Sequence, residues 1–389
     1  MTDRLTTAII QPDEMPGYQD AWDELYRADP EAHYFLSRDF IEPIVAASPK
    51  SHVFVAVLRG QRMLALVPLW VRLIWDRRRQ CYRSDLLFTG AKNWADYNGF
   101  LIDADAEDAA IDALAAFFTT HPWARFRLKN LSMSAARQSR FFGAFQSRAF
   151  GSRPVSKMIN GGQTNNLLCP VISLPDSFDA YLAGLSRNTR QKLRRCLRAL
   201  DGEIRDNSSG GLRIRTGTAD DLPGFAAMWA RQWARKPDPG RLSQTYAATL
   251  KQAMDRGTLS FPVLERDGEP LGYLASFLDP VKKSVLFFVS AREPQVHDVS
   301  VGLIMHADAI RRAIADGYRR YDMLRGDEPY KMQLGGVIHE IRYTVLRRRS
   351  HVNPRECLSP LSRAKLTDAA QDTADPARAE TARRQLRDL

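Results

Sequence analysis

Hydrophobic and polar positions divide the chain into two halves that predict the same order of elements. Short apolar or alternating runs predict strands, and longer runs with apolar positions three and four apart predict helices. The first half is predicted to contain strands at 52–58, 63–70 and 85–89, a helix at about 106–119 and a strand at 125–128. The second half is predicted to contain strands at 259–264, 271–278 and 284–290, a helix at about 301–316 and a strand at 318–324.

Each half therefore predicts an antiparallel meander, then a helix, then one more strand. A helical crossover lets that last strand lie parallel to its neighbour. The order and length of the elements repeat, whereas the residues align weakly, so chance similarity of two α/β domains is the alternative to a true repeat. Both interpretations predict an α/β (α+β) protein with mixed, mainly antiparallel sheets.

Two changes in composition suggest the domain boundaries. The stretch 152–164 is rich in Gly, Asn and Pro, which is typical of a linker. We therefore expect one domain at 1–155 and another at 165–350. The sequence is polar after that point, so 351–389 is expected to be a mobile or loosely helical tail.

The overall composition excludes some classes of protein. The chain has 389 residues, enough for two domains with their own cores, and its hydrophobic fraction of 44% excludes wholesale disorder. Arginine supplies 45 of the 56 basic residues, a ratio that a GC-rich genome explains. The net charge of +11 instead points to an acidic partner, such as phosphate, nucleic acid or an anionic membrane surface.

Cysteine and histidine spacing gives no metal or redox motif. The four cysteines form no CxxC pair, and the seven histidines include no HExxH motif. The N-terminus lacks a signal-peptide pattern, and the longest apolar run, 63–71, is too short to span a bilayer. We therefore expect a cytoplasmic protein, with peripheral contact to the inner membrane left open.

The first candidate functional segment is a basic helix predicted at 186–200, with Ser186 as N-cap and Gly202 as the stop. Its apolar face is formed by Thr189, Leu193, Cys196, Leu197 and Leu200. Its basic residues are Arg187, Arg190, Lys192, Arg194, Arg195 and Arg198. Because these charges repel one another, a phosphate or an anionic lipid would relieve them, and Arg187, Arg190 and Arg194 are the candidate contacts. A solvated face paired with carboxylates from elsewhere is the alternative.

The second candidate segment joins a hydrophobic strand to the start of an amphipathic helix. Gly302 has no Cβ and would let a ligand approach the first helical turn, where free N–H groups favour a pyrophosphate. Ser300 is expected to cap the helix. The candidate donor-binding residues are Arg292, His297, Ser300, Gly302 and Leu303. The chain has neither a GxGxxG nor a P-loop motif.

The third candidate segment, 321–336, is a strand that ends in a turn rich in ionisable groups. Asp327 or Glu328 could remove a proton from an acceptor amine or hydroxyl. Tyr330 could protonate a leaving thiolate, and Lys331 or Arg325 could hold a phosphate or carboxylate. A salt-bridged turn without chemistry is the alternative.

This third segment, from Tyr321 to Lys331 with Gly335 after it, closely resembles the signature of CelD/BcsL-type acyltransferases, which are FemAB-like members of the GNAT superfamily. The basic segment 185–195 and the Ser-Val-Gly start of the helix at 300–302 are similar to two further segments of that family. The resemblance implies two tandem GNAT folds and direct attack of an amine or hydroxyl on a thioester, usually acyl-CoA. It also implies that Lys331 is the counterpart of a lysine that matters in FemAB relatives.

The resemblance implies a donor and two classes of acceptor. Acyl-CoA would be the donor co-substrate, with no metal, and the acceptor would be a glycan, as in exopolysaccharide production, or a lipid amine, as in bacterial ceramide synthesis. The hairpin at 73–79 places Trp75 beside three arginines, a pattern that suits an anionic membrane interface. An ordinary hairpin tip is the alternative.

Two other functions stay open. One is a FemAB-like transferase that uses aminoacyl-tRNA, although the chain lacks the long heptad pattern of a coiled-coil arm, so a nucleic-acid partner is not favoured. The other is a non-enzymatic basic adaptor with a degenerate GNAT fold. The first half would fit that description, because it has no counterpart of the cluster at 327–331.

Overall fold

The computed structural model describes residues 5–92, 94–200, 211–349 and 353–389. The chain forms two compact units. The first combines Met1–Lys157 with Glu340–Leu389, and the second is Met158–His339.

The bounds of the elements follow in chain order. The strands of the described residues are β1 (Leu5–Ile10), β2 (His52–Arg59), β3 (Arg62–Asp76), β4 (Cys81–Phe88), β5 (Leu101–Ile102), β6 (Arg125–Leu131), β7 (Phe150–Pro154), β8 (Met158–Ile159), β9 (Thr164–Asn165), β10 (Leu168–Ser173), β11 (Leu212–Thr216), β12 (Leu259–Ser260), β13 (Pro262–Arg266), β14 (Glu269–Asp279), β15 (Ser284–Arg292), β16 (Arg320–Asp322), β17 (Val337–Glu340) and β18 (Arg342–Arg348). The α-helices are α1 (Gln19–Ala28), α2 (Arg38–Ala46), α3 (Glu107–Thr120), α4 (Ala135–Gly143), α5 (Phe178–Gly184), α6 (Arg187–Leu200), α7 (Leu222–Gln232), α8 (Pro239–Asp255), α9 (Val301–Ala315), α10 (Pro329–Gln333), α11 (Arg363–Ala370) and α12 (Pro376–Asp388).

The sheet of the first unit has the order β1-β2-β3-β4-β6-β18-β7, and β5 also pairs with β3. Strands β1 to β4 form an antiparallel meander. Strand β6 then lies parallel to β4, and α3 lies in the crossover between them. Alternation along β6 buries Phe126 and Leu128 in the core, so that Arg125 and Arg127 lie on the opposite face.

The sheet of the second unit has the order β11-β13-β14-β15-β16-β10-β17, and β12 also pairs with β14. Strands β13, β14 and β15 form an antiparallel meander, and β16 is parallel to β15 after the crossover through α9. The same order of elements therefore occurs in both sheets. The predicted α/β fold with two mixed, mainly antiparallel sheets is confirmed.

Each crossover helix buries its apolar face on its own sheet. In the first unit, Leu114 and Phe118 of α3 share a core cluster with Phe126. In the second unit, Ile304 of α9 shares a cluster with Leu274 of β14. Each fully buried side chain of this size contributes about 1.5–3 kcal/mol, so these contacts hold the crossover helices in place.

The domain division differs from the one predicted between 165 and 350. Strand β18, which was placed in the second domain, lies between β6 and β7 in the first sheet. Its register sets Leu346 opposite Phe126, and both side chains are fully buried. Burial of these apolar side chains in the first core explains why residues 342–348 belong to the first unit.

The tail expected at 351–389 also differs, because the structure forms α11 and α12 there. Leu366 and Ala382 are fully buried, in a small cluster that also receives Tyr82 of β4. The side chain of Gln385 hydrogen-bonds both backbone groups of Tyr82, at 2.8 and 3.0 Å. Much of this packing is formed by alanines, whose small side chains give only a weak hydrophobic signal. The sequence of 351–389 therefore does not predict these packed helices.

The hairpin at 73–79 is present as β3 and β4, but Trp75 is not displayed at its tip. Its ring contacts Tyr82 with centroids 4.9 Å apart, and the guanidinium of Arg378 lies 5.1 Å from the ring centroid. The tip therefore exposes arginines but not the tryptophan. In the described part of the chain, no helix is long and apolar enough to cross a membrane.

Candidate functional site

A gap opens between the two parallel strands of the second unit. Strand β15 continues to Arg292, but β16 pairs with it only over Ser284–Leu286. After Asp322 the chain turns to the other side, where the Met323 N–H donates to the carbonyl of Pro170 at 2.9 Å. A register shift between β14 and β15 adds an irregularity beside the gap. The two strands therefore part at their C-terminal ends, where open α/β sheets bind ligands.

The first turn of α9 presents two free backbone donors. The N–H groups of Gly302 and Leu303 have no hydrogen-bond partner among the described residues. A Cβ built on Gly302 meets nothing within 4 Å, so the space over this turn is open. Ser300 occupies the N-cap position, as predicted, but its side chain makes no capping hydrogen bond. Free donors and open space suit an anionic ligand.

The two other predicted donor-binding residues lie in the loop before this turn. Arg292 ends β15, where its N–H donates to the Gln232 side chain at 2.9 Å, and both Arg292 and His297 are exposed. The loop is tied down by an ion pair at 2.8 Å between Arg266 and Asp298. Arg292 and His297 therefore flank the helix start rather than forming its first turn.

Lys331 is a buried cation between two oxygen atoms. Its side chain is 5% exposed, and its Nζ lies 3.1 Å from Oε2 of Glu328. The same Nζ donates to the carbonyl of Arg325 at 2.8 Å. Because burial of an unpaired ammonium is costly, Glu328 is the counter-charge that holds Lys331 in this position.

The backbone of the turn is shaped for this pair. Gly326 has φ +101°, and a Cβ there would lie 2.6 Å from Oε2 of Glu328. Leu324 also has a positive φ, of +53°, and its N–H donates to the Asp322 carboxylate at 2.8 Å. Glycine at 326 therefore leaves the room that the Glu328 carboxylate occupies.

The neighbouring carboxylates of this turn have different environments. Asp327 accepts a hydrogen bond at 2.7 Å from the N–H of Asn165 in β9. Glu328 has one buried oxygen that lies beside Lys331 and accepts no hydrogen bond among the described residues. Asp327 therefore anchors the turn to a second segment, whereas Glu328 keeps acceptor capacity.

A histidine that the sequence analysis missed joins α9 to the turn. His306 is 4% exposed, and its Nδ1 lies 2.9 Å from the hydroxyl of Tyr321. Its ring centroid lies 5.8 Å from that of Tyr330. Desolvation, helped by the nearby Lys331 ammonium, lowers the pKa of His306 to about 3, so this ring is neutral at pH 7. Its position on the buried face of α9, three residues after Leu303, is the signal that could have found it.

Tyr330 keeps its proton in this environment. The residue as a whole is 40% exposed, but its hydroxyl end is desolvated, and this burial together with the Glu328 carboxylate raises the pKa of Tyr330. The structure thus brings Arg325, Glu328, Tyr330 and Lys331 together beside α9.

The basic helix is confirmed as α6, although its predicted stop at Gly202 lies outside the described residues. Leu193 and Leu197 are buried in the same cluster as Val301 of α9. Five of its cations have no carboxylate partner in the described part of the chain: Arg187, Arg190, Lys192, Arg194 and Arg198. Within the described residues, carboxylates from elsewhere therefore do not pair with these five cations.

Comparison with known proteins bears on this unit directly. Residues 187–332 match the family model of an acetyltransferase (GNAT) domain. The matched segment begins with α6 and ends one residue after Lys331, so it covers the basic helix, the start of α9 and the third candidate segment as far as Met332. A comparison with curated proteins found no match.

Solved structures extend the likeness to most of the chain. The crystal structure of FemX has a TM-score of 0.60 at 10% identity, over 84% of this chain and 95% of that one. A conserved protein of unknown function from Bacteroides thetaiotaomicron has a TM-score of 0.52 at 10% identity, over 85% of this chain and 97% of that one. At such identity the likeness concerns the fold. Together with the repeated sheet order, this likeness is consistent with two tandem GNAT-like domains.

Proposed function

We propose that this GNAT protein moves an acyl group from acyl-CoA to an amine or hydroxyl of a lipid or cell-envelope acceptor. The proposal rests on two features that lie beside the same helix, α9. Two free N–H groups at the start of α9 open beside the gap between β15 and β16, and the Glu328–Lys331 pair lies next to the same helix. The match of residues 187–332 to a GNAT domain supports a thioester donor.

The donor would be held by its phosphates and by the gap. The pyrophosphate of CoA would accept hydrogen bonds from the N–H groups of Gly302 and Leu303, where the helix dipole favours negative charge. The thioester arm would then extend along the unpaired edge of β15. Helix α6, which packs on α9, would add the cations Arg187, Arg190 and Arg194 for a donor phosphate or an anionic lipid surface.

The transfer needs one proton to leave the acceptor and one to reach the sulfur. Glu328 would take the proton from the acceptor nitrogen or oxygen as that atom attacks the thioester carbonyl carbon. Collapse of the tetrahedral intermediate breaks the C–S bond, and Tyr330, kept protonated by its raised pKa, would give the thiolate its proton. Lys331 would hold the Glu328 carboxylate in place, and Asp327 would anchor the turn.

The surface beside these residues favours an apolar acceptor. Tyr330 and Met332 of α10 are 40% and 36% exposed, and Val337 and Ile338 of the edge strand β17 are 72% and 43% exposed. Four large apolar side chains exposed within nine residues are unusual for a surface that meets only water or sugar. This patch supports a lipid amine, as in N-acylation of a long-chain base by CelD/BcsL-like or ceramide-synthase-like relatives, over a glycan hydroxyl.

The test uses the purified full-length chain with palmitoyl-CoA or acetyl-CoA as donor and sphinganine or glucosamine as acceptor. Free CoA is measured with a thiol reagent, and the product is identified by mass spectrometry. We expect CoA release with palmitoyl-CoA and sphinganine, and a loss of at least about 100-fold in kcat for Glu328→Gln, the range for general-base catalysis. Asp255→Asn removes a carboxylate from an exposed pair in the same unit and serves as the matched control.

Other outcomes would redirect the proposal. CoA release with the sugar alone would replace the lipid acceptor by a glycan. Transfer from aminoacyl-tRNA in place of acyl-CoA would favour the FemAB-like alternative. Failure to bind any acyl-CoA, with cellular function intact in Glu328→Gln, would leave the non-enzymatic adaptor.

A further inference from the structure

A separate cavity of about 1030 Å³ in the first unit is lined mainly by arginines. Among the described residues, its arginines are Arg78, Arg79, Arg83, Arg125, Arg347, Arg348 and Arg349, and its one carboxylate is Asp76. The cavity lies where β4 and β6 begin and β18 ends. It is therefore at the N-terminal ends of the parallel strand pair, whereas the candidate acyl-transfer site lies at the C-terminal ends of the pair in the other unit.

The sheet register places like charges directly opposite each other at this cavity. Arg347 of β18 faces Arg125 of β6, an arrangement that destabilises a sheet unless an anion compensates it. On its other side, Arg347 faces Gly151 of β7, where a Cβ would lie 3.1 Å from the Arg347 Nε. Glycine thus leaves space for the guanidinium. Desolvation and the neighbouring Arg83 lower the pKa of Arg125, as expected for crowded cations.

Several donors in the lining have no acceptor. Arg78, Arg125 and Arg347 have no carboxylate partner within the described residues. The side chain of Arg348 is only 5% exposed, and its buried Nε has no hydrogen-bond partner there, although its Nη1 pairs with Glu356 at 3.2 Å. The buried Nε of Arg83 is likewise without a partner. Unpaired buried donors are costly, so a ligand that supplies acceptors would stabilise the lining.

We propose that this cavity binds a ligand that carries two or more phosphate groups. A phosphate oxygen pair matches the fork of a guanidinium, and a single negative charge would leave most of the arginines uncompensated. Of the described residues that line the cavity, none is aromatic, so nothing there would stack a base or hold an acyl chain. A second depression of about 420 Å³ shares Arg125 and Arg347 and adds Arg127 and Arg153. The proposal does not depend on acyl transfer.

The test measures binding of inorganic tripolyphosphate to the full-length protein by isothermal titration calorimetry at two salt concentrations. A second arm measures co-sedimentation with vesicles that contain cardiolipin, a lipid with two phosphates, against vesicles of phosphatidylcholine alone. The site variant is Arg125→Gln with Arg347→Gln. The control is Arg384→Gln with Arg387→Gln, which removes the same charge from exposed positions on α12 of the same unit.

We expect one tripolyphosphate per chain, weakened at least about tenfold in the site variant and changed less than about twofold in the control. The site variant should melt no lower than the wild type, because neither arginine loses an ion pair. Binding to cardiolipin vesicles but not to tripolyphosphate would also support the proposal and identify a lipid headgroup as the source. Binding of neither probe, or an equal loss in both variants, would overturn it.

Discussion

Replacing Lys331 by Met tests whether the buried pair in the second unit is an organising feature of the site. The substitution keeps most of the side-chain length but removes the charge. It leaves the Oε2 atom of Glu328, which lies 3.1 Å from Nζ of Lys331 in the wild type, without a counter-charge. It also removes the donor that the Arg325 carbonyl uses at 2.8 Å.

The magnitude follows from the exposure of the two partners. A hydrogen bond to a charged group contributes about 1.5–3 kcal/mol, and breaking a fully buried pair costs about 3–5 kcal/mol. Glu328 is 31% exposed, so water screens part of the loss and the lower range applies. For a unit of this size, about 1 kcal/mol lowers the melting temperature by about 2–4 °C. The expected drop for Lys331→Met is therefore about 3–12 °C.

The chain offers a matched control in Lys251→Met. Lys251 pairs with Asp255 at 2.5 Å one helical turn away, but the two side chains are 49% and 58% exposed. Such surface pairs contribute about 0.3–0.5 kcal/mol, so this variant should melt within about 2 °C of the wild type. Differential scanning calorimetry on both variants gives the comparison, and the CoA-release assay gives kcat for each.

We expect Lys331→Met to lose both stability and turnover, whereas Lys251→Met should lose neither. Equal melting temperatures for the two variants would show that the Glu328–Lys331 contact is no stronger than a surface pair. A lower melting temperature for Lys331→Met with an unchanged kcat would show that the pair has a structural role only. The turn at 325–331 would then be a salt-bridged turn without chemistry.

Three further predictions concern other parts of the molecule. Gly302→Ala places its Cβ in open space, so the free energy of unfolding should stay the same or rise by about 0.5–1 kcal/mol. The Kd for CoA, measured by calorimetry, should rise several-fold, and an unchanged Kd would contradict the donor site. The folded pKa of His306, about 3, is below its ordinary 6.5, so its stabilising effect is present above pH 6.5 and is lost as the pH falls toward 3. The melting temperature of His306→Gln should therefore fall less than that of the wild type between pH 6.5 and 4. An equal fall in both proteins would refute this prediction. Arg137→Met removes the counter-charge of Asp29, with both side chains 0% exposed in the wild type, and should lower the free energy of unfolding by about 3–5 kcal/mol. Asp29→Asn in the same chain should restore part of that loss, and a small loss for Arg137→Met alone would show that the pair is dispensable.

The three-strand meander and the strand after the crossover helix could be predicted in each half, because alternation and turn residues are local signals. The turn at Asp267 and Gly268 has positive φ at both residues, as a tight hairpin requires. The sheet to which β18 belongs could not be predicted in the same way. Its pattern of Thr344, Val345 and Leu346 specifies a half-buried strand, but the partner strand is selected by packing against Phe126, more than 200 residues earlier.

The candidate site could likewise be predicted only in part, because some of its features depend on contacts between distant residues. The concentration of ionisable residues at 325–331 was visible in the sequence, and the structure does bring several of them beside α9. The difference between Asp327 and Glu328 was not visible, because it depends on the backbone N–H of Asn165 and on the positive φ of Gly326. His306 was missed because its only signal in the sequence is its place on the apolar face of a helix, which matches no catalytic motif.

Strand β18 has a consequence for the order in which the protein is made. About 210 residues separate the end of β6 at Leu131 from the start of β18 at Arg342, which pairs with it. At about 5–20 residues per second, the ribosome needs roughly 10–40 s to synthesise them. During that interval β6 has an open edge and β7 has no partner strand, so the nascent first unit is exposed to misassembly and to chaperone binding. The second unit is complete in the chain before the first can close, and a fragment that stops at residue 155 would keep that edge open permanently.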